Sequence, residues 1–182
     1  MDVIATRIAD VKIIQPAVFG DARGFFLETF EKRRYQQLLD IDLDFVQDNY
    51  SRSAQHVLRG LHFQKTQPQG KLVRVVRGEV FDVAVDIRPD SPTFGQWEGI
   101  VLSETNKTQL WIPPGLAHGF VVLSEIADFE YKCTDYYAPQ DEACLMWNDP
   151  DIAIQWPVTL PQLSAKDQQG LSLQELVQCA FC

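Results

Sequence analysis

Two of the three histidines in this sequence lie in contexts that favour a functional over a structural role. His62 occurs in VLRGLHFQ (57–64), shortly before a basic segment, and His118 ends the turn-rich segment WIPPGLAH (111–118). An unperturbed imidazole titrates near about pH 6.5, so a neutral histidine can accept a proton at working pH. A functional role is therefore expected for His62 and His118, whereas His56, in a polar segment, is assigned no role.

The spacing of Pro113, Gly115 and His118 is similar to half of a cupin metal motif. A metal-binding cupin also offers an H-x-H pair and a glutamate on an earlier strand. Here the residue two positions after His62 is Gln64, so the pair is broken. Two separated histidines do not supply the three or four ligands of a metal site, and the sequence therefore predicts no metal.

Several basic residues predict an anionic substrate. Arg23 and Arg59 each directly precede a glycine, where a planar guanidinium could reach a phosphate through two hydrogen bonds. The other members of this group are Lys71, Arg74, Arg77 and Lys166, and ordinary surface charge stays open for Arg74 and Arg77.

Aromatic residues surround the same motifs, among them Tyr131, Tyr136 and Tyr137. Tyr131 shares a strand face with Phe129, so burial in the core is one reading of it. A tyrosine hydroxyl in a catalytic site can also donate a proton, and this alternative stays open for Tyr131.

Composition limits the possible functions. The 182 residues are 46% hydrophobic, enough for one core, and the net charge of −9 argues against a protein that wraps nucleic acid or binds a membrane surface. The N-terminal segment lacks a signal-peptide pattern, and no apolar run approaches the roughly 18 residues of a membrane helix. We therefore expect a cytoplasmic protein.

The four cysteines are expected to be reduced thiols. Cys179 and Cys182 have C-x-x-C spacing, but no second pair or histidine accompanies them. A zinc site at these two residues is therefore not expected, and Cys133 and Cys144 complete the set.

Short alternating segments must position these side chains. Segment 79–87, EVFDVAVDI, alternates with period two and predicts a half-buried strand. Similar segments separated by Pro- and Gly-rich turns predict a mainly β fold, an antiparallel jelly-roll sandwich or barrel, in one domain over residues 1–182. Two short helices are expected, at about 31–39 and about 172–179, the second opened by the capping-box pair Ser172 and Glu175.

Motifs along nearly the whole chain resemble the dTDP-4-dehydrorhamnose 3,5-epimerase family. They include FGDARGFFLE (19–28), FVQDNYS (45–51), VLRGLHFQ (57–64), QLWIPPGLAHGFVVLSE (109–125) and LSAKD (163–167). The resemblance implies a cupin-like fold and a homodimer that exchanges N-terminal strands of about residues 1–30. It also implies conversion of dTDP-4-dehydro-6-deoxy-D-glucose to dTDP-4-dehydro-L-rhamnose without metal or cofactor.

The resemblance also implies roles for individual residues. His62 matches the general base, Asp167 its carboxylate partner, Tyr131 the general acid and Lys71 the residue that stabilises the enolate. Asp82 is a weaker match, as a partner supporting Lys71, and either Tyr136 or Tyr137 would stack on thymine. The residues matched to substrate contacts are Arg23, Glu28, Gln47, Asp48, Asn49, Arg59, Lys71, His118, Tyr137, Glu142 and Lys166.

Other functions fit the same motifs. An epimerase acting at C3 only or C5 only would use the same histidine and aspartate, and a 3,4-ketoisomerase could use the same scaffold. A cupin-like module that binds a sugar nucleotide without catalysis is the alternative from another class.

Overall fold

Two antiparallel β-sheets face each other and form the frame of the fold. The computed structural model describes residues 1–180, and side chains up to residue 178. The strands are β1 (Asp2–Ala5), β2 (Lys12–Gln15), β3 (Val18–Asp21), β4 (Gly24–Leu27), β5 (Gln47–Ala54), β6 (Leu58–Gln64), β7 (Lys71–Arg77), β8 (Glu79–Asp86), β9 (Trp97–Ser103), β10 (Gln109–Ile112), β11 (Leu116–Val122), β12 (Ile126–Cys133) and β13 (Glu142–Cys144).

One sheet has six strands in the order β1-β2-β10-β7-β12-β5, and the other has five in the order β13-β6-β11-β8-β9. Strands β3 and β4 pair only with each other and form a separate hairpin. The paired strands in the sheets run antiparallel, which confirms the mainly β, antiparallel architecture expected from the short alternating segments.

Both predicted helices are present. Helix α1 (Lys32–Leu39) begins after Glu31, whose carboxylate accepts hydrogen bonds from the backbone N–H groups of Arg33 and Arg34. Helix α2 (Leu173–Ala180) begins with the predicted capping box, in which Ser172 and Glu175 each bond the other's backbone N–H group. Among the described residues, no helix has the length and apolar character needed to cross a membrane.

Strand β8 differs from its predicted half-buried state. Val80 and Ala84 pack between the two sheets, while Val83 and Val85 pack on the opposite face against residues such as Leu145 and Ile152. The C-terminal segment covers the outer face of the five-stranded sheet, so both faces of β8 are buried. Period two alone cannot reveal this, because the covering residues come from a distant part of the chain.

Strands β6 and β11 approach each other unusually closely. A Cβ atom added to Gly60 would lie 2.5 Å from the Cα atom of Gly119, and Gly60 has a φ of +129°. Only glycine fits at this contact. The approach sets the register in which His62 lies opposite His118.

Candidate active site

An open cleft of about 350 Å³ lies between the two sheets at one end of the sandwich. The five-stranded sheet contributes His62 and His118, and the six-stranded sheet contributes Lys71 and Tyr131. The complete lining consists of Gln47, Asn49, Ser51, Arg59, His62, Phe63, Gln64, Gln69, Lys71, His118, Phe120, Phe129, Tyr131, Cys133, Tyr137 and Glu142.

His62 and Asp167 form a hydrogen-bonded pair at this cleft. Nε2 of His62 lies 2.6 Å from Oδ1 of Asp167, and the hydroxyl of Ser164 donates to Oδ2 at 2.7 Å. Burial opposes ionisation of Asp167, but the hydrogen bonds from His62 and Ser164 hold its pKa below the usual value. An ionised carboxylate only accepts hydrogen bonds, so Nε2 carries the proton and Nδ1 of His62 is left free as a base.

His118 makes a second pair, with the fully buried Asp82. Its Nε2 atom lies 3.1 and 3.0 Å from the two carboxylate oxygens. Burial lowers the pKa of His118 against the opposing charge of Asp82, so the ring is neutral. The hydrogen bonds of Asp82 go to His118, while its charge also acts on Lys71 and opposes the lowering of the Lys71 pKa. The suggested support of Lys71 by Asp82 stays a prediction.

Lys71 and Tyr131 face the cleft from neighbouring strands. Burial lowers the pKa of Lys71, although the nearby Cys133, Glu142 and Asp82 oppose the shift. Burial raises the pKa of Tyr131 to about 12, so the phenol keeps its proton at neutral pH. Tyr131 packs against the core cluster that contains Phe129 and also lines the cleft, so its burial is confirmed and its role as a proton donor stays a prediction.

Glu142 connects several groups at the cleft mouth. It accepts a 2.5 Å hydrogen bond from the Tyr137 hydroxyl, forms an ion pair with Lys166, and lies 3.9 Å from Nδ1 of His62. Burial would raise the pKa of Glu142, but Lys166 and Tyr137 hold it low. Tyr137 lines the cleft and the exposed Tyr136 does not.

Successive side chains of strand β5 point to opposite faces of the sheet, so its three predicted substrate contacts do not all face the cleft. Gln47 and Asn49 point into the cleft, whereas Asp48 lies on the opposite face and binds Lys132 at 2.9 Å. Asp48 is thus not at the cleft, because successive side chains of a strand point to opposite faces.

Two of the predicted basic residues lie on different faces. Arg59 lines the cleft and donates to Ser53 at 2.9 Å, while Arg74 binds Glu130 at 2.7 Å on the outer face.

Arg23 and Glu28 lie away from the cleft of their own chain. Arg23, at the tip of the β3–β4 hairpin, is largely exposed and pairs with Asp21. Glu28 follows the hairpin and pairs with Arg34. Their predicted contacts with substrate cannot be made within a single chain in this arrangement.

Among the residues that the structure describes, one group of three side chains could offer ligands to a metal ion. Single ligand atoms of His62, Cys144 and Asp167 lie within 4.8 Å of one another. The donor set fits a metal poorly, because burial raises the pKa of Cys144 to about 11 and the histidine and aspartate already bond each other. Cys133 and Cys144 are free thiols, whereas Cys182 lies outside the described residues and the side chain of Cys179 is not described.

Comparison with known proteins identifies the family. Residues 5–175 match the family model described as dTDP-4-dehydrorhamnose 3,5-epimerase. A protein of that name from Pseudomonas aeruginosa is 59% identical over 169 residues, which are 91% of this chain and 93% of that protein. The chain belongs to the dTDP-4-dehydrorhamnose 3,5-epimerase family. The resemblance expected from the motifs is thereby confirmed.

Two further members of the family cover almost the whole chain. The Escherichia coli protein of the same name is 55% identical over 180 residues, 98% of this chain and 97% of that protein. The crystal structure of dTDP-6-deoxy-D-glucose-3,5-epimerase from Legionella pneumophila, in complex with dTDP-4-keto-L-rhamnose, has 57% identity and a TM-score of 0.94 and covers 96% of each chain. The cupin-like fold expected for this family is thus confirmed.

Sequence reasoning missed several residues at the cleft. Next to the cleft, Ser164 hydrogen-bonds to Asp167, and Cys144 lies opposite His62 on the neighbouring strand β13. Gln64 was considered only as a lost metal ligand, and Gln69 was not considered. The S-x-x-D spacing of Ser164 and Asp167 could have indicated a local hydrogen bond, but the other contacts depend on the tertiary fold.

Proposed function

We propose that this protein inverts C3 and C5 of dTDP-4-dehydro-6-deoxy-D-glucose and forms dTDP-4-dehydro-L-rhamnose, in the biosynthesis of dTDP-L-rhamnose. The observation that carries the proposal is a free imidazole nitrogen on one sheet and a protonated phenol on the other, in one cleft. The names of the relatives support the choice of substrate.

The proposed reaction uses the acidity of carbon atoms beside the C4 ketone. Nδ1 of His62 removes the proton from C3 or C5, and the electrons of the broken C–H bond move to the ketone oxygen as an enolate. The ammonium of Lys71 stabilises that oxygen. The phenol of Tyr131 returns a proton to the opposite face of the carbon, and exchange with solvent resets both residues.

The two faces of the cleft explain inversion. Return of the proton by the same base would restore the original configuration. Because His62 and Tyr131 come from opposing sheets, a sugar bound between them has one residue on each face. Arg59, Asn49, His118, Glu142 and Lys166 are proposed to bind the nucleotide sugar, with Tyr137 stacking on its base. No metal or cofactor takes part in the proposed steps.

We also propose that residues 1–182 form one domain that acts as a homodimer. Phe19, Phe25 and Phe26 of the β3–β4 hairpin are 65%, 58% and 69% exposed in the single chain. Burying them against a second copy would remove this apolar surface from water. Strand β2 pairs with β1 and with β10 of its own chain, so the exchange is proposed for the β3–β4 hairpin rather than for all of residues 1–30. Exchange of this hairpin would let Arg23 and Glu28 reach the partner's cleft, which would account for their distance from their own. The expected cytoplasmic location stays a prediction.

The dimer proposal can be tested by mixing inactive variants. Arg23→Ala and His62→Ala should each be nearly inactive, but mixed dimers should contain one intact site. Equal amounts, unfolded and refolded together, should recover about a quarter of wild-type activity. Recovery of none, with mixed dimers present, would place Arg23 in its own chain's site.

The central experiment is incubation with dTDP-4-dehydro-6-deoxy-D-glucose in heavy water, followed by proton NMR. Wild-type protein should introduce deuterium at C3 and C5 and yield the L-rhamno product. His62→Ala should abolish exchange at both carbons, and near-normal turnover would refute the assignment of the base. Inversion at only one carbon would identify a mono-epimerase, a shifted ketone a ketoisomerase, and binding without exchange a non-catalytic module.

A further inference from the structure

Three glutamine side chains bind the backbone of the short segment that carries Tyr137. Nε2 of Gln69 donates to the carbonyl of Asp135 at 2.8 Å, and Oε1 of Gln47 accepts from the N–H group of Tyr137 at 2.9 Å. Gln64 contributes two bonds: Nε2 donates to the carbonyl of Tyr136 at 3.2 Å, and Oε1 accepts from the N–H group of Ala138 at 2.8 Å. Each of the four residues of segment 135–138 therefore has one backbone group bonded to a glutamine side chain.

Gln64 is the central member of this group. The residue is 6% exposed, and its Nε2 donates a further hydrogen bond to the carbonyl of Gln67 at 2.7 Å. The two carbonyl acceptors and the one N–H donor fix which end of the amide is nitrogen and which is oxygen. Both N–H groups of the Gln64 amide therefore bond backbone carbonyls, and its oxygen bonds the backbone N–H group of Ala138. Gln64 thus supports the backbone of segment 135–138.

Segment 135–138 needs such support because it has no regular secondary structure. Tyr137 is 50% exposed and lines the cleft, and its hydroxyl donates a hydrogen bond to Glu142. An unsupported loop would sample many orientations of this ring, and binding would have to order it. Gln64 also lies two residues after His62 on β6, so the same strand carries the base and the support.

We propose that Gln64, assisted by Gln69, is a positioning residue that preorganises Tyr137 to receive the planar base of the nucleotide. This inference rests on the proposed function, since it takes Tyr137 to be the residue that contacts the base. The amides are uncharged, so the support does not titrate. Loss of Gln64 weakens nucleotide binding and leaves proton transfer between His62 and Tyr131 intact.

Gln64→Met tests the proposal, because methionine has similar length and forms none of these hydrogen bonds. The dissociation constant of dTDP, by calorimetry, and KM for the keto-sugar should each rise about tenfold, as expected for the loss of one or two ordering hydrogen bonds. The value of kcat should stay within about twofold. The matched control is Gln155→Met, which removes an exposed amide that donates to Ala153 outside the cleft and should change neither quantity.

The double variant Gln64→Met/Tyr137→Ala separates positioning from general destabilisation. If Gln64 acts through Tyr137, adding Gln64→Met to Tyr137→Ala should weaken dTDP binding less than about twofold further. Additive effects, or a loss of kcat with unchanged KM, would overturn the proposal. Should Gln64→Met fail to fold, Gln69→Met removes one bond to the same segment and should raise the dissociation constant about threefold; no change would again overturn it.

Failure of this inference is distinguishable from failure of the proposed function. Wild-type exchange of deuterium into the keto-sugar tests the function alone. If the wild type binds dTDP without exchange, while Gln64→Met weakens binding through Tyr137, the positioning role stands and the epimerase reaction does not. If the wild type epimerises and the variants bind normally, only the positioning role is refuted.

Discussion

Asp167→Asn tests the hydrogen-bonded pair that sets the protonation of the base. The carboxylate of Asp167 is buried, lies 2.6 Å from Nε2 of His62 and also accepts a bond from Ser164. Asparagine has nearly the same shape, so the side chain should occupy the same space. Its NH₂ group can turn towards Nε2 while its oxygen accepts from Ser164, which would move the imidazole proton to Nδ1 and remove the free lone pair from the cleft.

The expected loss follows from the two functions that the change removes. The wrong tautomer cannot accept a proton from carbon, and a neutral amide no longer stabilises the imidazolium formed in the reaction. An Asp-to-Asn change in the acid–histidine pair of a serine protease lowers kcat about 10⁴-fold. We expect a fall of about 10³–10⁴-fold in kcat here, equivalent to about 4–5.5 kcal/mol in the barrier.

Deuterium exchange at C3 and C5, measured at saturating keto-sugar, gives the assay. KM should change less than about threefold, because Asp167 does not line the cleft. Ser164→Ala is the control, since it keeps the charge of Asp167 and removes only the hydrogen bonds that the Ser164 hydroxyl makes to the Asp167 carboxylate and backbone N–H group. It should cost about tenfold or less. An Asp167→Asn variant with kcat within tenfold of wild type would refute the assigned tautomer.

Four other variants or treatments test neighbouring parts of the site. Lys71→Met should lower kcat about 10²–10³-fold. Burial lowers the pKa of Lys71, so kcat of the wild type should fall as the pH rises through that lowered pKa, beginning below pH 10.5. Tyr131→Phe should retain exchange but slow inversion about a hundredfold, most clearly at C5, as resolved by product NMR. Asp48→Ala should leave KM and kcat within about twofold, because Asp48 faces away from the cleft; a large rise in KM would contradict the observed face. Exhaustive chelation should leave activity within about twofold, and restoration of lost activity by zinc would contradict the proposed metal-free reaction.

The general architecture could be predicted from local patterns, but the covering of its faces could not. Alternation in 79–87 located β8 correctly, yet it could not show that Leu145 and Ile152 bury the outer face. The capping pair Ser172 and Glu175 located the start of α2 because both residues belong to the same turn. Local rules succeed where the interacting groups are close in sequence.

At the candidate site, too, contacts between residues close in sequence could be predicted, whereas contacts between distant strands could not. The motifs around His62 and His118 indicated residues that line one cleft, and the resemblance supplied Asp167, which lies 105 positions from His62 and hydrogen-bonds to it. Asp82 was matched to Lys71, whereas its hydrogen bonds go to His118 on the neighbouring strand. Which side chain a carboxylate meets depends on strand register, and register is set by pairing across the whole sheet.

The contact between Gly60 and Gly119 limits how this cleft could be redesigned. Any side chain at either position would push apart the two strands that present His62 and His118, because each added Cβ atom would lie less than 3.0 Å from backbone atoms of the other strand. Libraries that seek a wider sugar range should therefore leave both positions invariant. Diversity is better introduced on β5, an edge strand whose inward side chains line the opposite wall.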